Sequence, residues 1–209
     1  MSIEYNGLSS KNSITQKFIK KSLYGNSDSD RHLISLFAIA LASKGKNYIE
    51  LGVREGHTTE PLYEAAKLNE GHLWSVDINE PSEYKPNNGH YTFCKKDSIK
   101  FLEEWPKDKK IDIAYVDDWH SYSHVKKQLE LLDQLVGPSS IILLHDLMYG
   151  NTDPFYHTDL TLNDGQWADG GPYRAVAELN SQFWEWSTLP WNNGLTILRK
   201  KYSNRYFAK

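Results

Sequence analysis

A glycine-bearing turn behind an acid is the first group of residues whose spacing suits ligand binding. Gly52 and Gly56 follow Glu50, and a helical pattern begins at Thr58. Glycine lets the backbone approach a ligand, and the start of a helix offers unpaired N–H groups. A dinucleotide fold carries G-x-G-x-x-G here for a pyrophosphate, whereas this chain has G-x-x-x-G. Glu50 would repel a pyrophosphate and suits the ammonium group of an amino-acid cofactor; the alternative is a tight turn without a ligand.

Acids also follow the next two apolar segments of the chain. Asp77 ends the segment at residues 73–77, and its carboxylate could accept both hydroxyls of a ribose. Asp97 and Ser98 follow the segment at residues 91–94, where the adenine of such a cofactor would lie. Residues of these types also cap helices, so both roles are open at these positions.

Carboxylates and imidazoles occur together after two later apolar segments. Asp117 and His120 follow the fourth segment, and His145 and Asp146 follow the fifth. Open α/β sheets bind ligands at the carboxyl ends of their strands. An imidazole with an ordinary pKa of about 6.5 accepts a proton near neutrality, so His120 is the candidate general base. Its alternative role is structural, as a hydrogen-bond partner of the loop at Asp117.

The segments that position these residues alternate between strand and helix patterns. Strands are predicted at residues 48–51, 73–77, 91–94, 111–116 and 141–144, and helices at residues 33–41, 58–68, 97–104 and 122–136. Strict alternation implies parallel strands joined by crossover helices. Residues 183–187 and 195–199 predict a C-terminal antiparallel hairpin. We therefore expect a Rossmann-like α/β fold, a three-layer α/β/α sandwich of about seven mostly parallel strands.

The composition is that of one globular domain. The chain has 209 residues, a net charge of −3 and one cysteine. That charge indicates no nucleic-acid partner, and a single cysteine allows no internal disulfide, which favours a cytoplasmic location. No apolar run suits a membrane span or a signal peptide. We expect an N-terminal extension or short helix at residues 1–26, the main domain at residues 27–200 and a tail at residues 201–209.

A long segment at residues 147–171 shows neither strand nor helix periodicity. It carries Tyr149, Phe155, Tyr156 and Trp167 among scattered acids. Structureless segments of this length tend to be lids or binding loops. Aromatic rings with acids suit a pocket for a small-molecule acceptor with a ring or sugar face. The alternative is a contact between copies in a homo-oligomer.

The motif series of the chain resembles that of class I S-adenosylmethionine methyltransferases. The resemblance begins with the run at residues 50–59, continues with Asp77 and Asp97, and covers roughly residues 30–200. The stretch IAYVDDWHSY and the later run IILLHD make it more specific. They are similar to a family of small-molecule O-methyltransferases, methyltransferase family 24, with an "IDGxHSY"-like motif after the fourth strand and "HD" after the fifth. This chain departs from that pattern at Asp118, which replaces the usual glycine, and at Trp119, which replaces a polar residue.

The resemblance implies S-adenosylmethionine as the cofactor and methyl transfer to an oxygen of a small hydroxylated molecule, sugar-like or natural-product-like. Residues 27–200 would then be the methyltransferase domain. The catalytic residues would be His120 and Asp117. The cofactor contacts would be Glu50, Gly52, Gly56, Thr58, Asp77, Asp97, Ser98 and Asp117.

A divalent metal is a further implication of the resemblance. In metal-dependent relatives, acids at the ends of the fourth and fifth strands hold an ion that chelates the hydroxyl oxygens of the acceptor. The candidate ligands here are Asp117, His145 and Asp146. Magnesium prefers oxygen ligands, whereas an imidazole suits manganese, iron or zinc better, and we expect magnesium or manganese. The alternative is that Asp117 orders its own loop, Asp146 caps a turn and no metal binds.

Two other functions are open at this point. His120, His145 and Asp146 could supply the two histidines and one carboxylate of an iron-dependent hydroxylase, because some relatives are named cephalosporin hydroxylases. A non-catalytic module could instead keep the cofactor site and use the aromatic segment to bind a partner.

Overall fold

The computed structural model describes residues 13–148 and 170–201, whose strands form one seven-stranded sheet. The strands are β1 Asn47–Leu51, β2 His72–Asp77, β3 Tyr91–Lys95, β4 Ile111–Val116, β5 Val136–His145, β6 Trp184–Leu189 and β7 Leu195–Lys200. The helices are α1 Ile14–Tyr24, α2 Leu33–Ala42, α3 Thr59–Leu68, α4 Ser98–Glu104, α5 Tyr122–Leu135 and α6 Gly171–Ala177, with a 3₁₀ turn at Asp30–His32 before α2.

The strand order is β3-β2-β1-β4-β5-β7-β6. Strands β1 to β5 pair in parallel, and β7 runs antiparallel to both β5 and β6. The expected fold, a mostly parallel Rossmann-like sandwich with a C-terminal antiparallel hairpin, is confirmed. The order reverses between β1 and β4, which is the point where open α/β sheets bind their ligands.

Helices cover both faces of the sheet, because successive strand residues point to opposite faces and both are apolar. Ile49 and Leu51 of β1 pack with the helices α4, α5 and α6, whereas Tyr48 packs with α1, α2 and α3. Both clusters contain fully buried side chains, such as Leu102 on one face and Leu36 on the other. The strand ends are therefore held between two packed layers.

The start of β5 differs from the sequence prediction. The predicted helix at residues 122–136 ends at Leu135, and β5 begins at the next residue rather than at Ile141. Ile111 pairs with Val136, and the register then shifts so that Ile113 pairs with Ile141. The extra residues are accommodated because the Ser140 hydroxyl donates to the Ile111 carbonyl at 2.6 Å. Residues 137–140, which separate the predicted helix from the predicted strand, are thus part of an irregular strand.

Two further expectations concern the aromatic segment and the absence of a membrane span. Most of the aromatic segment predicted at residues 147–171 lies outside the described residues, as do residues 1–12 and 202–209. In residues 13–148 and 170–201, no helix has the length and apolarity to cross a membrane.

Candidate active site

A cavity of about 820 Å³ opens at the carboxyl ends of the parallel strands. It is lined by seven of the predicted site residues: Gly52, Asp77, Asp97, Ser98, Asp117, His120 and Asp146. Asp28, Arg54, Asp118, Trp119, His124 and Asn193 also line it. The other four predicted residues, which are Glu50, Gly56, Thr58 and His145, do not line this cavity.

Gly52 allows the end of β1 to lie directly against the end of β4. Its φ is +90°, and a Cβ atom there would lie 2.1 Å from the carbonyl oxygen of Asp117. Any larger residue would therefore force the two strand ends apart. Gly56 has a φ of +86°, and its Cβ would lie 2.3 Å from the carbonyl oxygen of Tyr84. Both glycines shape the turn, and Gly52 also faces the cavity.

Glu50 lies beneath that turn and is fully buried. Its Oε1 accepts from the Thr58 hydroxyl at 2.7 Å, and its Oε2 accepts from Thr59 at 2.8 Å and Ser75 at 2.5 Å. Burial raises the pKa of Glu50 to about 7, although the three hydroxyl bonds oppose this shift. Glu50 thus joins the start of α3 to β2.

Asp77 faces the cavity from the end of β2. Its Oδ2 accepts from the backbone N–H groups of Val53 and Arg54 at 2.8 and 3.2 Å. Its Oδ1 accepts from the N–H of Asn79 at 2.8 Å. A carboxylate has about four lone-pair sites, so these bonds leave acceptor capacity on the cavity side. Asp77 therefore anchors the glycine turn and can still bind a ligand hydroxyl.

Asp97 and Ser98 form the far wall of the cavity. Asp97 caps α4, because its Oδ1 accepts from the N–H of Lys100 at 3.0 Å. The Ser98 hydroxyl bonds to the Asp118 carboxylate and accepts from Gln128 Nε2 at 2.9 Å. The capping alternative for Asp97 is therefore realised, and its side chain also lines the cavity.

Asp118 forms a polar network that the motif comparison did not reveal. Its Oδ2 lies 3.0 Å from His124 Nε2 and 2.8 Å from Gln128 Nε2. Burial favours the neutral acid, but the hydrogen bonds from His124, Ser98 and Gln128 lower the pKa of Asp118 below its usual value. A glycine at this position could not join α4 to α5 in this way. Asp118 therefore fixes the wall that carries Ser98.

Four residues at the ends of β4 and β5 form a cluster of two imidazoles and two carboxylates. His120 Nε2 lies 3.4 Å from Asp117 Oδ1 and 3.0 Å from Asp146 Oδ2. His145 Nδ1 lies 3.5 Å from Asp117 Oδ1 and 3.1 Å from Asp146 Oδ1. The Tyr115 hydroxyl donates to Asp117 Oδ2 at 2.8 Å. Both imidazoles thus contact the same two carboxylates.

Attraction between the imidazoles and the carboxylates offsets the effect of burial on the pKa values of this cluster. Burial favours a neutral imidazole, but hydrogen bonds and charge from Asp117 and Asp146 raise the pKa of His120 to about 9 and that of His145 to about 11. Burial also opposes ionisation of the two acids, yet the imidazoles lower the pKa of both. Two cations and two anions leave the cluster close to neutral. The pKa of His120 is thus higher than the ordinary value on which its choice as a general base rested.

The donor set at this site fits a divalent metal. Ligand atoms of Asp117, His120 and Asp146 all lie within 4.8 Å of one another. His145, with a side chain only 1% exposed, lies behind them against the same carboxylates. The structure therefore brings His120 to the front of the set, where the sequence had suggested His145.

Comparisons with known proteins bear on the function of this site. Residues 49–147 match a family model described as a methyltransferase domain. No curated protein sequence matches the chain. Its structure is similar to that of the SAH-bound methyltransferase PaMTH1 of Podospora anserina, at 17% identity and a TM-score of 0.60, over 90% of this chain and 88% of that one.

Two other solved structures have the same fold. TomG of Streptomyces achromogenes, an O-methyltransferase involved in tomaymycin synthesis and solved with SAM, is 13% identical, with a TM-score of 0.62 over 90% of this chain and 89% of that chain. A protein of Corynebacterium glutamicum is 14% identical, with a TM-score of 0.66 over 95% of this chain and 94% of that chain.

The matched residues run from β1 to just beyond β5 and contain most of the cavity wall. Sheet order, cavity position and family match together define a class I methyltransferase fold. Residues 49–147 match the model of methyltransferase family 24, and the chain carries a methyltransferase domain, as the sequence predicted.

Proposed function

We propose that this protein transfers the methyl group of S-adenosylmethionine to an oxygen atom of a small hydroxylated acceptor, sugar-like or natural-product-like. One observation carries the proposal. The cavity joins an end suited to a nucleoside, at Asp77 and Asp97, to an end that holds Asp117, His120 and Asp146. A methyl donor and its acceptor need such adjoining sites, because alignment supplies much of the rate.

At the nucleoside end, Asp77 would accept from a ribose hydroxyl through its remaining lone pair. Asp97 and Ser98 would border the adenine, and the backbone at Gly52 would approach the sulfur-bearing part of the cofactor. Glu50 would support the glycine turn from beneath, because its two oxygens accept from hydroxyls at the start of α3 and on β2. The geometry supports this orientation because these residues follow one another along the cavity from β1 to α4.

At the acceptor end, Asp117, His120 and Asp146 would hold a magnesium or manganese ion. Such an ion, when bound, lowers the pKa of a coordinated hydroxyl and orients it. His145 would position both carboxylates from behind through its contacts at 3.5 and 3.1 Å. Without an ion, the carboxylates instead hold a proton on His120, which makes it a poor base at neutral pH.

The decisive experiment is a screen of hydroxylated acceptors scored by release of S-adenosylhomocysteine. Each acceptor is assayed as purified, with a chelator, and after adding back Mg²⁺ or Mn²⁺. Calorimetry should show S-adenosylhomocysteine binding at least about tenfold tighter than NAD, equivalent to about 1.4 kcal/mol. Tighter binding of NAD would refute the methyltransferase proposal. Cofactor binding without turnover of any acceptor would favour a non-catalytic module.

A second candidate is an iron-dependent hydroxylase, because Asp146 contacts both His120 and His145 at 3.0 and 3.1 Å. Two histidines and one carboxylate are the ligands of many non-haem iron oxygenases. The near-complete burial of His145 weighs against it, since an oxygenase needs open positions on the metal. Anaerobic Fe²⁺ titration followed by oxygen-consumption assays distinguishes the two functions.

A further inference from the structure

Glu50 is the residue that the motif pattern assigns to the ammonium group of the cofactor, but both its oxygens are engaged. Three hydroxyls bind them at 2.5 to 2.8 Å, and the side chain is fully buried. The Asp117 carboxylate, beside Gly52, is already engaged by His120, His145 and Tyr115. A positively charged ammonium in the cavity would therefore need another acid near Gly52.

Asp28 and Arg54 lie where such a partner is needed. Both line the large cavity and also a smaller hollow beside it, and Gly52 and Asp117 line both as well. Asp28 Oδ2 is 3.3 Å from Arg54 Nη1, and the side chains are 45% and 67% exposed. An acid and a base thus stand together at the junction of the two hollows.

Asp28 is held over the glycine turn by contacts of its own segment. The N–H of Ser27 donates to Asp30 Oδ2 at 2.7 Å, and Asn192 Nδ2 donates to the carbonyl of Ser27 at 3.2 Å. Arg54 is fixed from the other side, because its N–H donates to Asp77. The pair is therefore anchored at the backbone, while its charged ends stay accessible.

We propose that Asp28 and Arg54 form a clamp for the amino-acid end of the cofactor, with Asp28 binding the α-ammonium and Arg54 the α-carboxylate. The inference rests on the proposed function, since it assumes the cofactor orientation set by Asp77 and Asp97. The ion pair seen between the two side chains opens on binding, and each charge exchanges its partner for the opposite charge of the zwitterion. An exposed ion pair contributes little to stability, so this exchange costs little.

The test compares two ligands that differ only at this end. S-adenosylhomocysteine carries the amino acid, whereas 5′-methylthioadenosine has the same nucleoside and sulfur but lacks it. Calorimetry with both ligands is carried out on the wild type, Asp28→Asn and Arg54→Gln. Arg31→Gln is the matched control, because it removes an exposed cation that lines neither hollow.

Each clamp variant should bind S-adenosylhomocysteine about tenfold or more weakly, as expected for a lost hydrogen bond to a charged group. Binding of 5′-methylthioadenosine should stay within about twofold, which also shows that the variant is folded. The control should bind both ligands like the wild type. Equal losses for the two ligands, or unchanged binding of S-adenosylhomocysteine, would overturn the clamp alone. A wild type that binds neither ligand would overturn the proposed function and the clamp with it.

Discussion

His120 Nε2 lies 3.0 Å from Asp146 Oδ2, which joins the loop after β4 to the residue after β5. Asp146 takes a left-handed backbone conformation, with a φ of +66°, and its N–H donates to the carbonyl of Gly194 at 3.0 Å. Asp is one of the few residues that adopt this conformation readily. The C-terminal hairpin therefore fixes the direction in which Asp146 meets His120.

The carboxylates of this cluster can be tested one at a time. Asp117→Asn and Asp146→Asn should each abolish Mn²⁺ binding and methyl transfer, because each removes a charged oxygen ligand. Affinity for S-adenosylhomocysteine should stay within about threefold of the wild type, since the ion would serve the acceptor. Asp108→Asn, which removes an exposed carboxylate outside the cavity, is the control. Chelator-insensitive activity that survives in both variants would refute the metal proposal.

A separate prediction concerns the replacement of His120. His120→Ala should weaken Mn²⁺ binding and lower kcat by about tenfold or more, because it removes a proposed metal ligand, and should leave affinity for S-adenosylhomocysteine unchanged. A wild-type rate that does not respond to chelator would contradict this role and leave His120 as the candidate base. His72→Ala, at the amino end of β2, is the matched control. A His120→Ala enzyme with wild-type kcat would restrict His120 to a structural role.

Asp77 should contribute to affinity mainly through the nucleoside. Asp77→Ala should weaken binding of S-adenosylhomocysteine about 10- to 150-fold, since hydrogen bonds to a charged group contribute about 1.5–3 kcal/mol. Asp77→Asn keeps one acceptor oxygen and should give a smaller loss. Both variants should also lose affinity for 5′-methylthioadenosine, unlike the clamp variants, because the lost acceptor serves the nucleoside. Unchanged affinity in a folded Asp77→Ala protein would mean that Asp77 only anchors the glycine turn.

The strands and the cofactor turn could be predicted from the sequence because their signals are local. The apolar run at Ile141 and the turn at Gly52 depend on neighbouring residues, and the strand ends then follow from the parallel sheet. The start of β5 could not be predicted in this way. It depends on a hydrogen bond between Ser140 and Ile111, which lie far apart in the chain.

The other differences between the sequence-based expectations and the structure arise from contacts between side chains that lie far apart in the chain. Nothing near His124 in the sequence indicates a partner, yet His124 faces Asp118, with 15% of its side chain exposed. Glu50 was expected to face the cofactor, but Ser75, on the next strand, helps to hold it beneath the turn. Asp28 lies in a segment typical of a helix start, and no local pattern shows that it meets Arg54.

Glu50 should make the stability of the protein depend on pH. Burial raises its pKa from 4.5 to about 7 in the folded state. The folded state therefore holds a proton between these values that the unfolded chain has lost. Stability from this group is fully present below about pH 4.5 and is lost as the pH rises to about 7, by about 3 kcal/mol in total.

Glu50→Gln imitates the protonated carboxyl and should remove that loss. In urea unfolding between pH 5 and 8, the free energy of unfolding of the variant should rise relative to the wild type as the pH increases. The two proteins should be closest in stability at the acidic end, because Glu50 is then protonated in the wild type as well. Glu104→Gln, at a carboxylate that is 62% exposed, should leave the pH dependence unchanged. A Glu50→Gln protein whose stability follows the wild type in parallel across this range would show that Glu50 is ionised in the folded protein, and that its three hydroxyl partners outweigh its burial.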